Sequence, residues 1–109
     1  MSERWESIQG FPSYKVSSNG RVAAESTSGT KQIKPYEKDN GYLYVDLYKS
    51  GQRFGKRVHI LVAEAFLNKP SSDVSVDHKD RNRHNNRVSN LKYATASEQN
   101  TNRKSWAKG

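Results

Sequence analysis

An aspartate and a histidine stand side by side where a short alternating run ends, in the last third of the chain. Val74 and Val76 alternate with polar neighbours, which predicts a half-buried strand ending at Asp77 and His78. Neighbouring strand residues point to opposite faces, but at a strand end both side chains can reach one pocket. Asp77 is a hard oxygen donor of the kind that magnesium prefers. The imidazole of His78 suits a general base, because imidazoles exchange protons near neutral pH.

A loop made only of charged and polar side chains follows this pair. Residues 79–87 contain no apolar side chain, so no core can use them, and they predict a loop that faces solvent or a ligand. Residues 91–94 then predict a second short strand, and Asn90 stands at its start. We expect the Asn90 amide either to hold the imidazole of His78 or to tie the loop shut.

A helix is predicted after the second strand. Thr95 and Glu98 form a capping-box pattern that opens a helix towards Trp106. In its first turns Gln99 or Asn100 could bring a second oxygen ligand to a metal ion, and the helix N-terminus also suits a phosphate. One residue is about 100° around a helix, so these two amides cannot both face the ion.

Two hairpins and a helix are predicted upstream of the pair. The hairpins turn at residues 18–20 and 49–52, where Asn-Gly and Ser-Gly stand between β-prone runs. Trp5, Phe11 and Tyr14 are interpreted as core residues of this sheet. Alternation along the first strand of the second hairpin places tyrosines on one face and aliphatic residues on the other: Tyr42, Tyr44 and Tyr48 against Leu43, Val45 and Leu47.

The helix is predicted from an apolar stripe that ends before Pro70. The stripe has helical spacing and consists of Val58, Leu61, Val62, Ala65 and Phe66. His59 lies off this stripe, so we interpret it as a surface or DNA-facing residue, and His84 among its charged neighbours as a solvated one. Zinc held by His59, His78 and His84 is a disfavoured alternative, because the chain has no cysteine and the histidines are not closely spaced.

The charge balance points to a polyanionic partner. The 109 residues include 19 Lys and Arg against 11 Asp and Glu, a formal charge of +8 at pH 7, and such an excess favours nucleic acid. The absence of cysteine excludes a disulfide scaffold. No apolar run approaches the roughly 20 residues of a membrane span, and the N-terminal residues lack the apolar region of a signal peptide. We therefore expect a cytoplasmic protein without a membrane partner, as a monomer or weak dimer.

Several motifs occur in a fixed order. They are Val58 to Phe66, Val76-Asp77-His78, Asn85-Asn86-Arg87, Asn90-Leu91 and the Thr95-led helix. This set closely resembles the HNH endonucleases of the ββα-metal class, particularly the homing type. The N-terminal half resembles the small nuclease-associated modular DNA-binding domain often fused to this nuclease, through Trp5, Ile8, Gly10, Tyr14-Lys15-Val16-Ser17, Gly20-Arg21-Val22, Gly41-Tyr42, Val45 and Leu47.

The resemblance implies an α+β fold with two modules. Residues 1–57 would form a β-rich DNA-binding module with a small antiparallel sheet. Residues 58–109 would form the HNH nuclease module, with a lead-in helix over 58–67 and the ββα-metal motif over 73–105. The implied activity is metal-dependent nicking or cleavage of double-stranded DNA, which leaves a 3′-hydroxyl and a 5′-phosphate. Family habit also suggests a phage or mobile-element origin, and then action in the host cell cytoplasm.

The resemblance also implies residue roles. His78 would be the general base, Asp77 a ligand of one divalent metal ion, Mg²⁺ or alternatively Mn²⁺, and Asn90 would position the base and close the loop. The family's usual second ligand is an asparagine that falls on Gln99 here, one residue before Asn100; register favours Gln99 and ligand habit favours Asn100. If neither binds the ion, the chain would be a catalytically degenerate nucleic-acid-binding protein, which is the alternative function. DNA contacts are assigned to Arg53, Lys56, Arg57, Arg81, Arg83, Arg87 and Arg103.

Overall fold

Short antiparallel strands and one helix make up the part of the chain that the structure describes, residues 3–70 and 74–95 of a computed structural model. The strands are β1 (Trp5–Ile8), β2 (Phe11–Ser17), β3 (Val22–Ser26), β4 (Gly29–Ile33), β5 (Tyr36–Glu37), β6 (Leu43–Lys49), β7 (Gln52–Arg57), β8 (Val74–His78) and β9 (Leu91–Thr95). The helix α1 is Val58–Phe66, and a 3₁₀ turn spans Val88–Asn90. This arrangement confirms the predicted α+β class.

The first sheet has the order β1-β2-β3-β4 and is antiparallel throughout. Its β2–β3 connection is the predicted turn. Gly20 has a φ of +87° there, a backbone conformation that residues with a Cβ rarely adopt. The Ser17 hydroxyl accepts hydrogen bonds from the backbone N–H groups of Asn19 and Arg21, at 3.1 and 3.0 Å. These bonds hold the turn in one shape.

The second sheet has the order β5-β6-β7, and its faces differ as the alternation predicts. Val45 and Leu47 are buried on the inner face, at 1% and 0% exposure. On the outer face Tyr44 lies opposite Arg57, and Tyr48 opposite Arg53. The β6–β7 turn lies at Ser50 and Gly51, within the predicted turn.

The core is one cluster that takes residues from both halves of the chain. Its buried members are Ile8, Phe11, Val16, Val22, Val45, Leu47, Val58, Leu61, Val62, Ala63, Val76 and Leu91. The predicted stripe of α1 is confirmed, although the helix ends at Phe66 rather than Leu67, which is extended. Trp5 departs from its interpretation as a core residue: it is 36% exposed, because the first three residues of β1 lie at the edge of the first sheet.

The third sheet is the β8–β9 hairpin that carries the Asp-His pair. Val76 lies opposite Tyr93, and His78 opposite Leu91, so β8 ends at His78 as predicted. The polar loop 79–87 joins the two strands, with the 3₁₀ turn just before β9. The predicted C-terminal helix lies outside the described residues.

Candidate active site

The imidazole of His78 lies half-buried at the end of β8 and is held by a buried amide. Its Nε2 is 2.7 Å from Oδ1 of Asn86. Asn86 is only 4% exposed, so this bond is shielded from competing water. The contact with Asn86 thus occupies one of the two ring nitrogens of His78, Nε2.

Two further rings pack against His78. The ring of His59, in the first turn of α1, lies 4.8 Å from it with an interplanar angle of 49°. Tyr42, just before β6, stacks on His59 at 4.7 Å and lies 6.0 Å from His78. Helix α1 and the second sheet thus form one wall of the site.

His59 is buried, which corrects its interpretation as a surface or DNA-facing residue. It is 2% exposed, because α1 is covered by strands on more than its apolar stripe. Burial, and after it the positive charges that His78 and Arg57 can carry, together lower its pKa from 6.5 to about 3. The Nδ1 atom of His59 has no hydrogen-bond partner among the described residues. His59 is therefore neutral at neutral pH.

The polar loop is organised around the Asp80 carboxylate. Its Oδ1 accepts hydrogen bonds from the Asn82 backbone N–H and the Asn90 amide, and its Oδ2 from the Asn85 amide, each at 2.8 Å. The bond from Asn85, then those from Asn82 and Asn90, lower the pKa of Asp80. The loop is thus polar in composition but ordered by its own hydrogen bonds.

Asn90 closes this loop, which is one of the two roles expected for it. Its Nδ2 donates to Asp80 and to the Asn85 carbonyl at 2.8 Å, and its Oδ1 accepts from the Asp80 N–H at 3.1 Å. The amide found on His78 belongs to Asn86. That contact was not predicted, although the pair Asn85-Asn86 stood out in the sequence, because nothing in a run of polar residues indicates which amide turns inward.

The structure describes one of the three predicted metal ligands, Asp77. Asp77 is half-buried next to His78 and lies opposite Lys92 in β9. Gln99 and Asn100 lie outside the described residues. Within residues 3–70 and 74–95, no group of three or more His, Asp or Glu side chains could hold a metal ion. Of the three histidines in the zinc alternative, His59 and His78 pack together, whereas His84 is paired with Glu37 at 3.1 Å.

The arginines of the loop are exposed beside the site. Arg81 and Arg87 face outward, and Arg83 donates through Nη1 to the Asn40 carbonyl at 2.7 Å while lying 5.0 Å from the Tyr42 ring centre. Arg103, the last predicted DNA contact, is outside the described residues.

The basic residues of β7 do not share one face. Arg53 and Arg57 lie on the outer face with the tyrosines of β6. Lys56 points the other way, and its Nζ lies 5.5 Å and 5.9 Å from the ring centres of Phe11 and Phe54. Because a strand alternates, the basic run is divided between two surfaces.

Comparison with known proteins agrees with this architecture. Residues 3–48 match the family described as the NUMOD4 motif, and residues 56–101 match the family described as HNH endonuclease. The chain thus contains an HNH endonuclease region, preceded by a NUMOD4 region. The second match spans α1, the β8–β9 hairpin and the polar loop, so the HNH region contains His78, Asn86 and Asn90.

The HNH relatives include phage proteins of greater length. DNA endonuclease I-HmuI of Bacillus phage SP01 is 36% identical over 92 residues, which are 84% of this chain and 52% of that protein. H-N-H endonuclease F-TflII of Escherichia phage T5 is 35% identical over 91 residues, 82% of this chain and 46% of that protein. A solved structure described as DNA binding and cleavage by the HNH homing endonuclease I-HmuI matches with a TM-score of 0.87 at 34% identity, over 95% of this chain and 59% of that chain. The chain thus spans about half the length of these HNH relatives.

No helix in ranges 3–70 and 74–95 is long and apolar enough to cross a membrane.

Proposed function

We propose that this HNH protein hydrolyses phosphodiester bonds in double-stranded DNA, with His78 as the general base. The observation that carries the proposal is the placement of the imidazole: it ends a strand, remains partly open to solvent, and is fixed by Asn86 and the His59 ring. A fixed, solvent-accessible imidazole can take a proton from an attacking water. The names of the HNH relatives, two of which are phage endonucleases, support the same activity.

The residues near His78 supply the rest of what the reaction needs. Exposed Arg81, Arg83 and Arg87 provide positive charge beside a DNA backbone. Asn90 keeps the loop closed through Asp80, so these arginines are presented by an ordered segment. Cleavage is proposed to leave a 3′-hydroxyl and a 5′-phosphate, with nicking and double-strand breakage both open to the same chemistry.

The donor chemistry fits a hard divalent ion. Asp77 offers a carboxylate next to the base, and Gln99 or Asn100 would add an amide oxygen. Mg²⁺ prefers oxygen donors and usually takes only a few of them from the protein, and Mn²⁺ can replace it. When bound, the ion would neutralise charge on the phosphoryl oxygens and on the leaving oxygen. The proposed roles of Asp77 and of either helix amide rest on this donor chemistry and on the family's pattern.

The proposal is tested by nicking of supercoiled plasmid DNA with Mg²⁺ or Mn²⁺. We expect His78→Ala to lower the nicking rate about 10²- to 10⁴-fold, the usual contribution of a general base. His84→Ala is the matched control, since this exposed histidine pairs with Glu37 away from the ring stack, and it should keep most of the activity. Equal nicking by wild type and His78→Ala would overturn the role of His78.

The second candidate function is nucleic-acid binding without catalysis. It is favoured by the departure at Gln99, where the family's usual ligand is an asparagine. Wild-type protein that binds duplex DNA but does not nick it with either metal would establish this alternative. We further propose action as a monomer or weak dimer in a host cytoplasm, in keeping with the phage sources of the relatives.

A further inference from the structure

We infer that Asn86 is a positioning residue that sets the tautomer of His78, and that the β2–β3 turn of the N-terminal sheet holds Asn86 in place. The inference deepens the proposed function and rests on it for its catalytic meaning. It assigns the proton of the neutral imidazole to Nε2 and leaves Nδ1 as the nitrogen that can accept a proton from water.

The assignment of the proton follows from the chemistry of the contact. A carboxamide oxygen only accepts hydrogen bonds, so Nε2 must be the donor across the 2.7 Å separation. In a neutral imidazole one nitrogen carries hydrogen and the other a lone pair. The His59 ring on the face of His78 opposes rotation that would exchange the two nitrogens. The unprotonated nitrogen is therefore Nδ1.

The β2–β3 turn, in the N-terminal half of the chain, contacts Asn86 and restricts its position. A Cβ built on Gly20 would lie 3.0 Å from both the Cβ and the carbonyl oxygen of Asn86, closer than real Cβ atoms normally approach. Two residues further on, the Val88 N–H donates to the Ser18 carbonyl at 2.8 Å. The turn thus contacts the loop on both sides of Arg87, and its close approach at Gly20 restricts the position of Asn86.

The absence of a side chain at Gly20 has a consequence for the base. A methyl group there would push Asn86 away, and a shift of a few tenths of an ångström is enough to lengthen its bond to His78. Misplacement of a catalytic group by about 1 Å can cost about 10²-fold in rate. The N-terminal sheet would then contribute to catalysis through Asn86, besides any contact of its own with DNA.

The first test determines the tautomer of His78 in the 109-residue protein without added metal. The histidines are labelled with ¹⁵N, and long-range ¹H–¹⁵N correlation spectra are recorded in alkaline buffer, where imidazoles are neutral. We expect wild-type His78 to be protonated on Nε2. Asn86→Leu should lose this preference, whereas Asn86→Asp, which keeps an acceptor oxygen, should retain it. A wild-type ring protonated on Nδ1, or an unchanged spectrum in Asn86→Leu, would overturn the inference.

The second test uses a matched pair of glycines. Gly20 and Gly10 have φ values of +87° and +85°, so alanine strains both turns alike, but nothing lies within 4 Å of a Cβ on Gly10. We expect Gly20→Ala to perturb the His78 nitrogen signals and to lower the nicking rate at saturating DNA about tenfold. Gly10→Ala should keep the wild-type signals and rate. Equal behaviour of the two variants would contradict the seating role of Gly20.

The two tests separate this inference from the proposed function. If wild-type protein shows the Nε2 tautomer and its loss in Asn86→Leu but nicks no DNA, the positioning inference holds and the endonuclease proposal fails. If wild-type protein nicks DNA in a His78-dependent manner and the tautomer is unaffected by Asn86→Leu, the endonuclease proposal holds and the positioning inference fails.

Discussion

At the scale of the residue, the unusual feature is a second histidine buried against the proposed base. His59 covers one face of the His78 ring and is itself only 2% exposed. Two charged imidazoles at this distance would repel each other. Burial avoids that conflict, because it keeps His59 neutral, with a pKa of about 3. His59 therefore acts as an aromatic packing partner of His78 rather than as a second base.

The neutral state of His59 makes stability depend on pH. Its pKa is about 3 in the folded protein and about 6.5 in the unfolded chain, so between these values the unfolded chain binds more protons. The contribution of His59 to the free energy of unfolding should therefore be fully present above pH 6.5. As the pH is lowered from 6.5 towards 3, this contribution should fall by about 1.4 kcal/mol per pH unit.

Urea unfolding followed between pH 6.5 and 4.5 measures this slope. His59→Phe keeps a ring against Tyr42 and should flatten the slope, because a phenyl group cannot be protonated. His84→Gln, at an exposed position, should keep the wild-type slope. The lowest pH in this range lies above the pKa of Asp80. Because that pKa is lowered in the folded protein, protonation of Asp80 reduces the free energy of unfolding only at a still lower pH. A slope that is the same in His59→Phe would show that His59 is not the group responsible.

At the scale of the element, strand β7 divides a basic run between two surfaces. Arg53 and Arg57 lie on the outer face beside the β6 tyrosines, whereas Lys56 lies over Phe11 and Phe54. Basic residues that are close together in the sequence of β7 therefore do not form one continuous basic surface. We expect DNA to contact the outer face, since arginines bind phosphate groups and both arginines of β7 lie there.

Salt titration of DNA binding tests which face is used. Each phosphate contact that is removed should reduce the slope of log K against log salt by about 0.9. We expect this change in Arg53→Ala and in Arg57→Ala, measured by fluorescence anisotropy with a duplex oligonucleotide. Lys56→Ala is the control on the opposite face and should leave the slope unchanged. An equal loss of slope in all three variants would mean that DNA reaches both faces of β7.

At the scale of the whole molecule, the two matched regions share one core and one site. Val16 and Leu47 from the NUMOD4 region pack in the same cluster as Val62 and Leu91 from the HNH region. Strand β7 runs directly into α1 without a linker. Three contacts also hold the loop to the NUMOD4 region. Arg83 donates a hydrogen bond to the Asn40 carbonyl, the His84 imidazole pairs with the Glu37 carboxylate, and the Val88 N–H donates to the Ser18 carbonyl. The described residues on the two sides of residue 57 thus pack in one core.

Shared packing predicts that the HNH region does not fold alone. A fragment of residues 58–109 would expose the face of α1 that Val45 and Leu47 cover, and small domains have little stability to lose. We expect its thermal unfolding, followed by circular dichroism, to show no cooperative transition. Addition of a fragment of residues 1–57 should restore one. A cooperative transition in the 58–109 fragment alone would contradict a shared core.

Much of the fold could be predicted because its signals are local. Alternation in β6, turn residues at 18–20 and 49–52, and the stripe of α1 each depend on neighbours in the chain, and each was confirmed. Strands β1, β4 and β5 were not predicted as separate elements. They are short and mostly exposed, so burial leaves little pattern in them.

The Asp77-His78 strand end and its polar loop could also be predicted, since no core can use nine consecutive polar residues. The arrangement around the imidazole was a different matter. That Asn86 rather than Asn90 meets His78, and that His59 is buried, depend on how Gly20 and Tyr42 approach from segments far along the chain. Local pattern specifies the elements because it reflects each element's own geometry. Contacts between distant segments depend on how the elements pack, and no periodicity in the sequence encodes that.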